Sequence, residues 1–164
     1  MSNQRVVDSI VVGCTEELFA AYGVRLARRQ APSPGEEVIF VGVVGFTSEV
    51  MRGALLLAPT RTPLARSYKG GPCELRDWAG ELANQLLGRI KNRLFTYGVE
   101  ISVSTPVVIK GNCLAPVPRG ELVPYMFDGR PGEVAVLFDA ELRDGLQLAP
   151  RNLVVPNEGD TILF

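Results

Sequence analysis

A carboxylate, an amide, a bare glycine and an ammonium fall into register along Glu81-Leu82-Ala83-Asn84-Gln85-Leu86-Leu87-Gly88-Arg89-Ile90-Lys91. Advancing roughly 100° per residue from Glu81, Asn84 lies at about −60°, Gly88 at about −20°, Lys91 at about −80° and Gln85 at about +40°. Leu82, Ala83, Leu86, Leu87 and Ile90 occupy the opposite side, so the segment reads as an amphipathic helix. Gly inside a helix costs about 1 kcal/mol relative to Ala. A glycine at the centre of the polar face is therefore a disadvantage to the helix, and it leaves room for another protein's backbone.

Other chemistries are excluded by residue type. The chain has no histidine, which removes Ser-His-Asp and Cys-His nucleophiles and His-ligated metal sites. No phosphate-binding Gly-rich loop ending in Lys-Ser/Thr is present; Gly42-Val43-Val44-Gly45 lacks the lysine and reads as packing. Glu36-Glu37, beside Gly35, reads as a solvated strand entrance. Arg25, Arg28 and Arg29 are balanced by acidic neighbours and lack interleaved aromatics, so no nucleic-acid partner is expected. Cys14, Cys73 and Cys113 are widely spaced and fit no metal pattern; reduced, cytoplasmic thiols are the simplest reading.

The 164 residues suit one domain, 46% hydrophobic and 21% charged, with a net charge of −1. That charge gives no long-range attraction to nucleic acid or anionic lipid. The longest apolar runs, Val38 to Phe46 and Ala54 to Ala58, are too short to cross a membrane, and Met1 to Arg5 does not read as a signal peptide.

Elements must position the polar face. Val6, Val7, Ile10, Val11, Cys14, Leu18 and Ala21 predict a first helix, capped by Ser2 or Asn3 and ended by Gly23. Val24 to Arg28 reads as a short strand, followed by the turn-rich Ala31-Pro32-Ser33-Pro34-Gly35. Val38 to Phe46 and Met51 to Ala58 form a predicted hairpin, and Pro63 to Tyr68 one or two helical turns. The long helix is expected from Glu74 to Tyr97, closed by Gly98, with a core stripe of Leu75, Trp78, Ala79, Leu82, Leu86, Ile90 and Leu94. Val99 to Ile109 is β-branched but broken by Pro106, which marks a bulge, a bend or an edge. Leu122 to Phe127 and Glu133 to Ala140 predict a second hairpin around Asp128-Gly129-Arg130-Pro131-Gly132. No sequence repeat or low-complexity tract is evident.

Glu-x-x-Asn, then glycine four residues on and lysine three after that, resembles the active helix of the CheC/CheX/FliY chemotaxis phosphatases. Ser104-Thr105-Pro106-Val107-Val108-Ile109-Lys110-Gly111 resembles that family's strand after the helix, and Gly132 to Phe138 its last strand. Phe46 to Leu57 resembles the preceding hairpin. One copy of the motif is nearer CheX than CheC. The resemblance implies an α/β (α+β) fold: a long, mostly antiparallel sheet packed by two long helices on one side. It implies as substrate the aspartyl-phosphate of a CheY-like receiver domain.

In that reading Asn84 orients the attacking water, since an amide can donate one hydrogen bond and accept another. Glu81 pairs with the receiver's lysine, while Gln85, Gly88 and Lys91 face the partner. The resemblance implies no cofactor of the chain's own, the Mg²⁺ belonging to the receiver, and homodimerisation through a sheet edge. The likeness spans about residues 3 to 142, giving a CheX-like domain over 1–142 and an extension over 143–164 packed on it. That extension could cover the site, add an edge strand or serve another partner; Leu153 to Val155 and Thr161 to Phe164 are strand-like. The alternative function is a non-catalytic receiver-binding or dimeric scaffold module with the same fold.

Overall fold

Two long helices carry the apolar stripes that the pattern predicts, and both lie on one face of a single sheet. The structure is a computed structural model and describes residues 2–31, 35–70 and 74–151. Helix α1, Asn3–Ala21, starts at Ser2, whose hydroxyl accepts from the Arg5 amide, and buries Val6, Val7, Ile10, Val11, Cys14, Leu18 and Phe19. Helix α3, Leu75–Phe95, buries Trp78, Leu82, Leu86, Leu87, Ile90 and Leu94. Between them, the short α2, Arg61–Ser67, follows the hairpin.

The strands are β1 (Ala27–Arg29), β2 (Phe40–Thr47), β3 (Met51–Pro59), β4 (Ser102–Val103), β5 (Val107–Lys110), β6 (Tyr125–Asp128) and β7 (Glu133–Leu142). Their order is β1-β6-β7-β3-β2-β4, with β5 also on β2, and every pairing between them is antiparallel. The fold class is the expected one. Period-two alternation sends Val44, Phe46, Leu55, Leu57, Val134, Val136 and Phe138 to the helices, where they form the core. The opposite face carries a smaller apolar cluster of Val41, Ala58, Met126 and Ala135.

Pro106 falls in the gap between β4 and β5, at the sheet edge, because it has no N–H for a ladder bond. Ser104 spans that gap: its amide donates to the Gly45 carbonyl and its hydroxyl accepts from the Gly45 amide, both at 2.9 Å. Gly42 is packing, as expected. A Cβ there would stand 2.6 Å from Ala83 Cβ and 2.7 Å from the Ala79 carbonyl oxygen, so β2 touches α3 only as glycine.

Glu36 departs from its expected solvated role. Its carboxylate accepts from the Thr62 amide at 2.9 Å, from the Thr60 hydroxyl at 3.0 Å and from the Thr62 hydroxyl, closing the start of α2. Burial pushes this carboxyl up, but hydrogen bonds from Thr62 and Thr60 outweigh it and hold it below its ordinary value.

The strand order also exposes a repetition that the sequence did not. Exchanging α1-β1-β2-β3 with α3-β4/β5-β6-β7 turns the order into itself read backwards. Tyr22-Gly23-Val24 and Tyr97-Gly98-Val99 close the two helices identically. The Val24 and Val99 amides reach back to the Phe19 and Leu94 carbonyls, and Gly23 and Gly98 adopt φ of 78° and 74°. Gly13 precedes Gly23 by the same interval at which Gly88 precedes Gly98.

Residues 143–151 run back to the helices. Asn3 donates to the Leu146 carbonyl at 2.7 Å and accepts from the Leu148 amide at 2.9 Å, and the Arg151 amide donates to the Thr96 carbonyl. The strand-like Leu153 to Val155 and Thr161 to Phe164 lie outside the described residues.

Candidate functional site

Leu82, Ala83, Leu86, Leu87 and Ile90 are wholly buried against the sheet and α1, which fixes the rotation of α3. Its other face must then meet water, with Glu81 and Asn84 exposed and Gln85, Gly88 and Lys91 half-buried. Asn84, Gln85, Gly88 and Lys91 line one shallow depression, together with Tyr22, Arg89 and Asn92. Glu81 stands outside its rim, one turn toward the helix start, and is joined to it through Gln85, whose Nε2 donates to Glu81 Oε1 at 2.9 Å.

Asn84 makes no hydrogen bond to another described residue, so its amide is free to hold a water. Glu81 takes part in no ion pair among the described residues. The described part of the extension bonds to Val50, Asn3 and Thr96, not to this face.

The two glycines of α3 have opposite reasons. A Cβ on Gly80 would lie 2.8 Å from Val108 Cγ2, so that glycine serves the fold. A Cβ on Gly88 would meet no described atom within 4 Å. Nothing inside the described chain requires glycine at position 88.

Tyr22, Arg89 and Asn92 were missed by the sequence reading. Arg89, at about +80°, borders the polar arc and Asn92, at about +20°, lies within it, so both carried a signal there. Tyr22 carried none, since it reaches α3 from the end of α1. Its ring stands edge-on to Trp78 at 4.9 Å between centroids and 87° between planes, and its hydroxyl donates to Gln85 Oε1 at 2.8 Å. Trp78 is held in turn by Nε1 donating to Ser67 Oγ at 2.9 Å.

The interval that matches Gly13 to Gly88 places Val6 opposite Glu81 and Ser9 opposite Asn84. Val6 is buried. The acid–amide pair therefore occurs on α3 and not on α1. A roomier groove beside α1 is lined by Asp8, Ser9, Gly13, Arg28 and Tyr125 among others, three of which engage one another. Tyr125 donates to Asp8 at 2.6 Å, and the Arg28 guanidinium lies 4.8 Å above the Tyr125 ring. Burial, reinforced by the Asp8 carboxylate, pushes the Tyr125 phenol well up from its ordinary range.

Among the described residues no three His, Cys, Asp or Glu side chains are grouped to hold a metal ion, and no helix is long and apolar enough to cross a membrane.

No protein-family model matches the chain, and no curated protein matches its sequence. Solved structures do match its fold. Chemotaxis protein CheX from Vibrio vulnificus aligns over 83% of this chain and 96% of its own, at 18% identity and a TM-score of 0.68. A CheC-like superfamily protein from Shewanella sp. PV-4 aligns over 83% and 97%, at 17% identity and a TM-score of 0.70. A CheX–CheY–BeF3–Mg²⁺ complex from Borrelia burgdorferi aligns over 80% and 93%, at 13% identity and a TM-score of 0.54. Helices, sheet and likeness together give one conclusion: the chain has the fold of the CheX and CheC-like chemotaxis proteins.

Proposed function

We propose that this chain is a CheX-like member of the CheC/CheX/FliY family that hydrolyses the aspartyl-phosphate of a CheY-like receiver domain. One observation carries the reading. Glu81 and Asn84 project to water from one turn of α3, beside a glycine whose bare side has no purpose inside the described chain. The complex of a similarly folded CheX with CheY supports the choice of partner.

Phosphoryl transfer passes through a loose transition state, so placing the water matters more than deprotonating it. Asn84 accepts a hydrogen bond from the water through Oδ1 or donates one to its oxygen through Nδ2, aiming it at phosphorus. The oxygen–phosphorus bond forms as the acyl-phosphate P–O bond breaks, giving inorganic phosphate and the receiver's aspartate. Glu81 pairs with the receiver's lysine and fixes the register. Gln85, Gly88 and Lys91 meet the surrounding loops, Gly88 setting the distance of approach. The Mg²⁺ that neutralises the phosphoryl oxygens belongs to the receiver in this scheme. A cytoplasmic setting goes with it.

A dimeric scaffold or receiver-binding module is the second reading, and β5 favours an interface of some kind. Val107 is 60% exposed and Ile109 47% on a strand whose outer side no described strand pairs. The opposite edge, β1, presents Arg28 and Arg29, charges that discourage strand pairing. We infer that a homodimer forms through the β5 edge, a contact compatible with either reading since it lies away from the polar face of α3.

The deciding experiment incubates the protein with ³²P-labelled phospho-receivers from the same genome and times the loss of label. Accelerated loss that disappears in Asn84→Ala supports hydrolysis. Binding without acceleration supports the scaffold.

A further inference from the structure

We infer that Tyr22 is a positioning residue for Glu81, acting through Gln85 from a different helix. This inference rests on the phosphatase reading and adds to it the part that prepares the docking carboxylate before the receiver arrives.

The geometry is a directed chain. The Tyr22 hydroxyl donates to Gln85 Oε1 at 2.8 Å, and Gln85 Nε2 donates to Glu81 Oε1 at 2.9 Å. A side-chain amide has a donor end and an acceptor end of nearly the same shape, and either could face Glu81. Only the donor end attracts a carboxylate. Glu81, an acceptor only, selects the NH2 end, and the phenol, donating to the carbonyl end that then faces it, anchors Gln85 in that pose. Without it the carbonyl end of Gln85 loses its partner on α1, and the side chain is free to swing away from Glu81.

The first link is itself held rigidly. Tyr22 packs edge-on to Trp78 at 4.9 Å, and Trp78 is tied to Ser67 of α2, whose hydroxyl donates to the Leu64 carbonyl at 2.8 Å. The chain from α2 through Trp78 and Tyr22 to Gln85 converts buried packing into the direction of an exposed carboxylate. An exposed Glu otherwise samples several rotamers and loses that freedom only on docking. Preorganisation of this kind lowers KM and leaves the chemical step alone.

The test needs two readouts. Tyr22→Phe keeps the ring on Trp78 and removes the one proton. In the free protein, the Gln85 side-chain amide NMR signals, assigned by their loss in Gln85→Ala, are expected to shift in Tyr22→Phe. With a ³²P-labelled receiver on which the wild type acts, KM is expected to rise about three- to tenfold, the scale of one hydrogen bond between neutral groups. The kcat and unfolding midpoint stay near wild type, and Tyr22→Phe combined with Gln85→Ala is no worse than Gln85→Ala alone. Unmoved amide signals, an unchanged KM, or multiplying effects in the double variant would each overturn the relay while leaving the phosphatase reading intact. A wild type that accelerates label loss from no receiver overturns the phosphatase reading, and the docking role of Tyr22 with it.

Discussion

The Tyr22 hydroxyl and Gln85 Oε1 are 2.8 Å apart, although 63 residues separate them in the chain. This bond ties the end of α1 to the middle of the polar face of α3. A depression built by two helices is stiffer than one built by a single exposed helix. The reaction proposed here needs such stiffness, because it depends on placement.

Asn84→Ala should lower the accelerated loss of receiver phosphate on the order of a hundredfold, the penalty for a misplaced reacting group. The side chain is exposed and bonds to no described residue, so thermal unfolding should change by less than about 0.5 kcal/mol. Single-turnover label release with calorimetry checks both; an unaltered rate counts against water orientation by Asn84.

Glu81→Gln should act on binding instead. Removing the charge weakens the pair with the receiver's lysine, so KM rises while kcat holds. A fall in kcat at constant KM would mean that Glu81 works in the chemical step.

Gly88→Ala is expected to stabilise the free protein by about 0.5–1 kcal/mol, because alanine suits a helix interior better and its Cβ meets nothing described. Gly88→Leu should block docking with the helix intact. Normal turnover in the leucine variant would refute the close approach.

Glu36 gives the fold a pH dependence of known sign. Its folded carboxyl lies below the ordinary 4.5, so its contribution is complete above that pH and is lost as pH falls through the lower folded value. Glu36→Gln should cost about 0.5–1 kcal/mol near neutral pH, the scale of a helix cap. The difference from wild type should vanish in acid-titrated unfolding curves below the folded value. A gap that persists there would assign the loss to packing.

Val107→Lys with Ile109→Lys should give a monomer by sedimentation, since charges on an exposed edge oppose pairing. An unchanged dimer would place the interface elsewhere.

The helices and the hairpins were legible because burial imposes a period that residue types report directly, whereas the antiparallel sheet on one side of the helices was implied only by the family resemblance. Leu82, Leu86 and Ile90 went inside as their spacing required, which forced Glu81, Asn84 and Gly88 out. Gly23 and Gly98 closed the helices where only a left-handed residue fits comfortably. The approximate twofold arrangement was hidden, because strand order and shared φ values maintain it while few residues match. Glu36 looked like a solvated acid until folding set it against Thr60 and Thr62. Tyr22 could not have been found from spacing at all. The sequence alone determined which helix face carries an acid and an amide, since local periodicity suffices for that. Tertiary structure decided which groups join that face, because Tyr22 reaches Gln85 only once the end of α1 packs against α3.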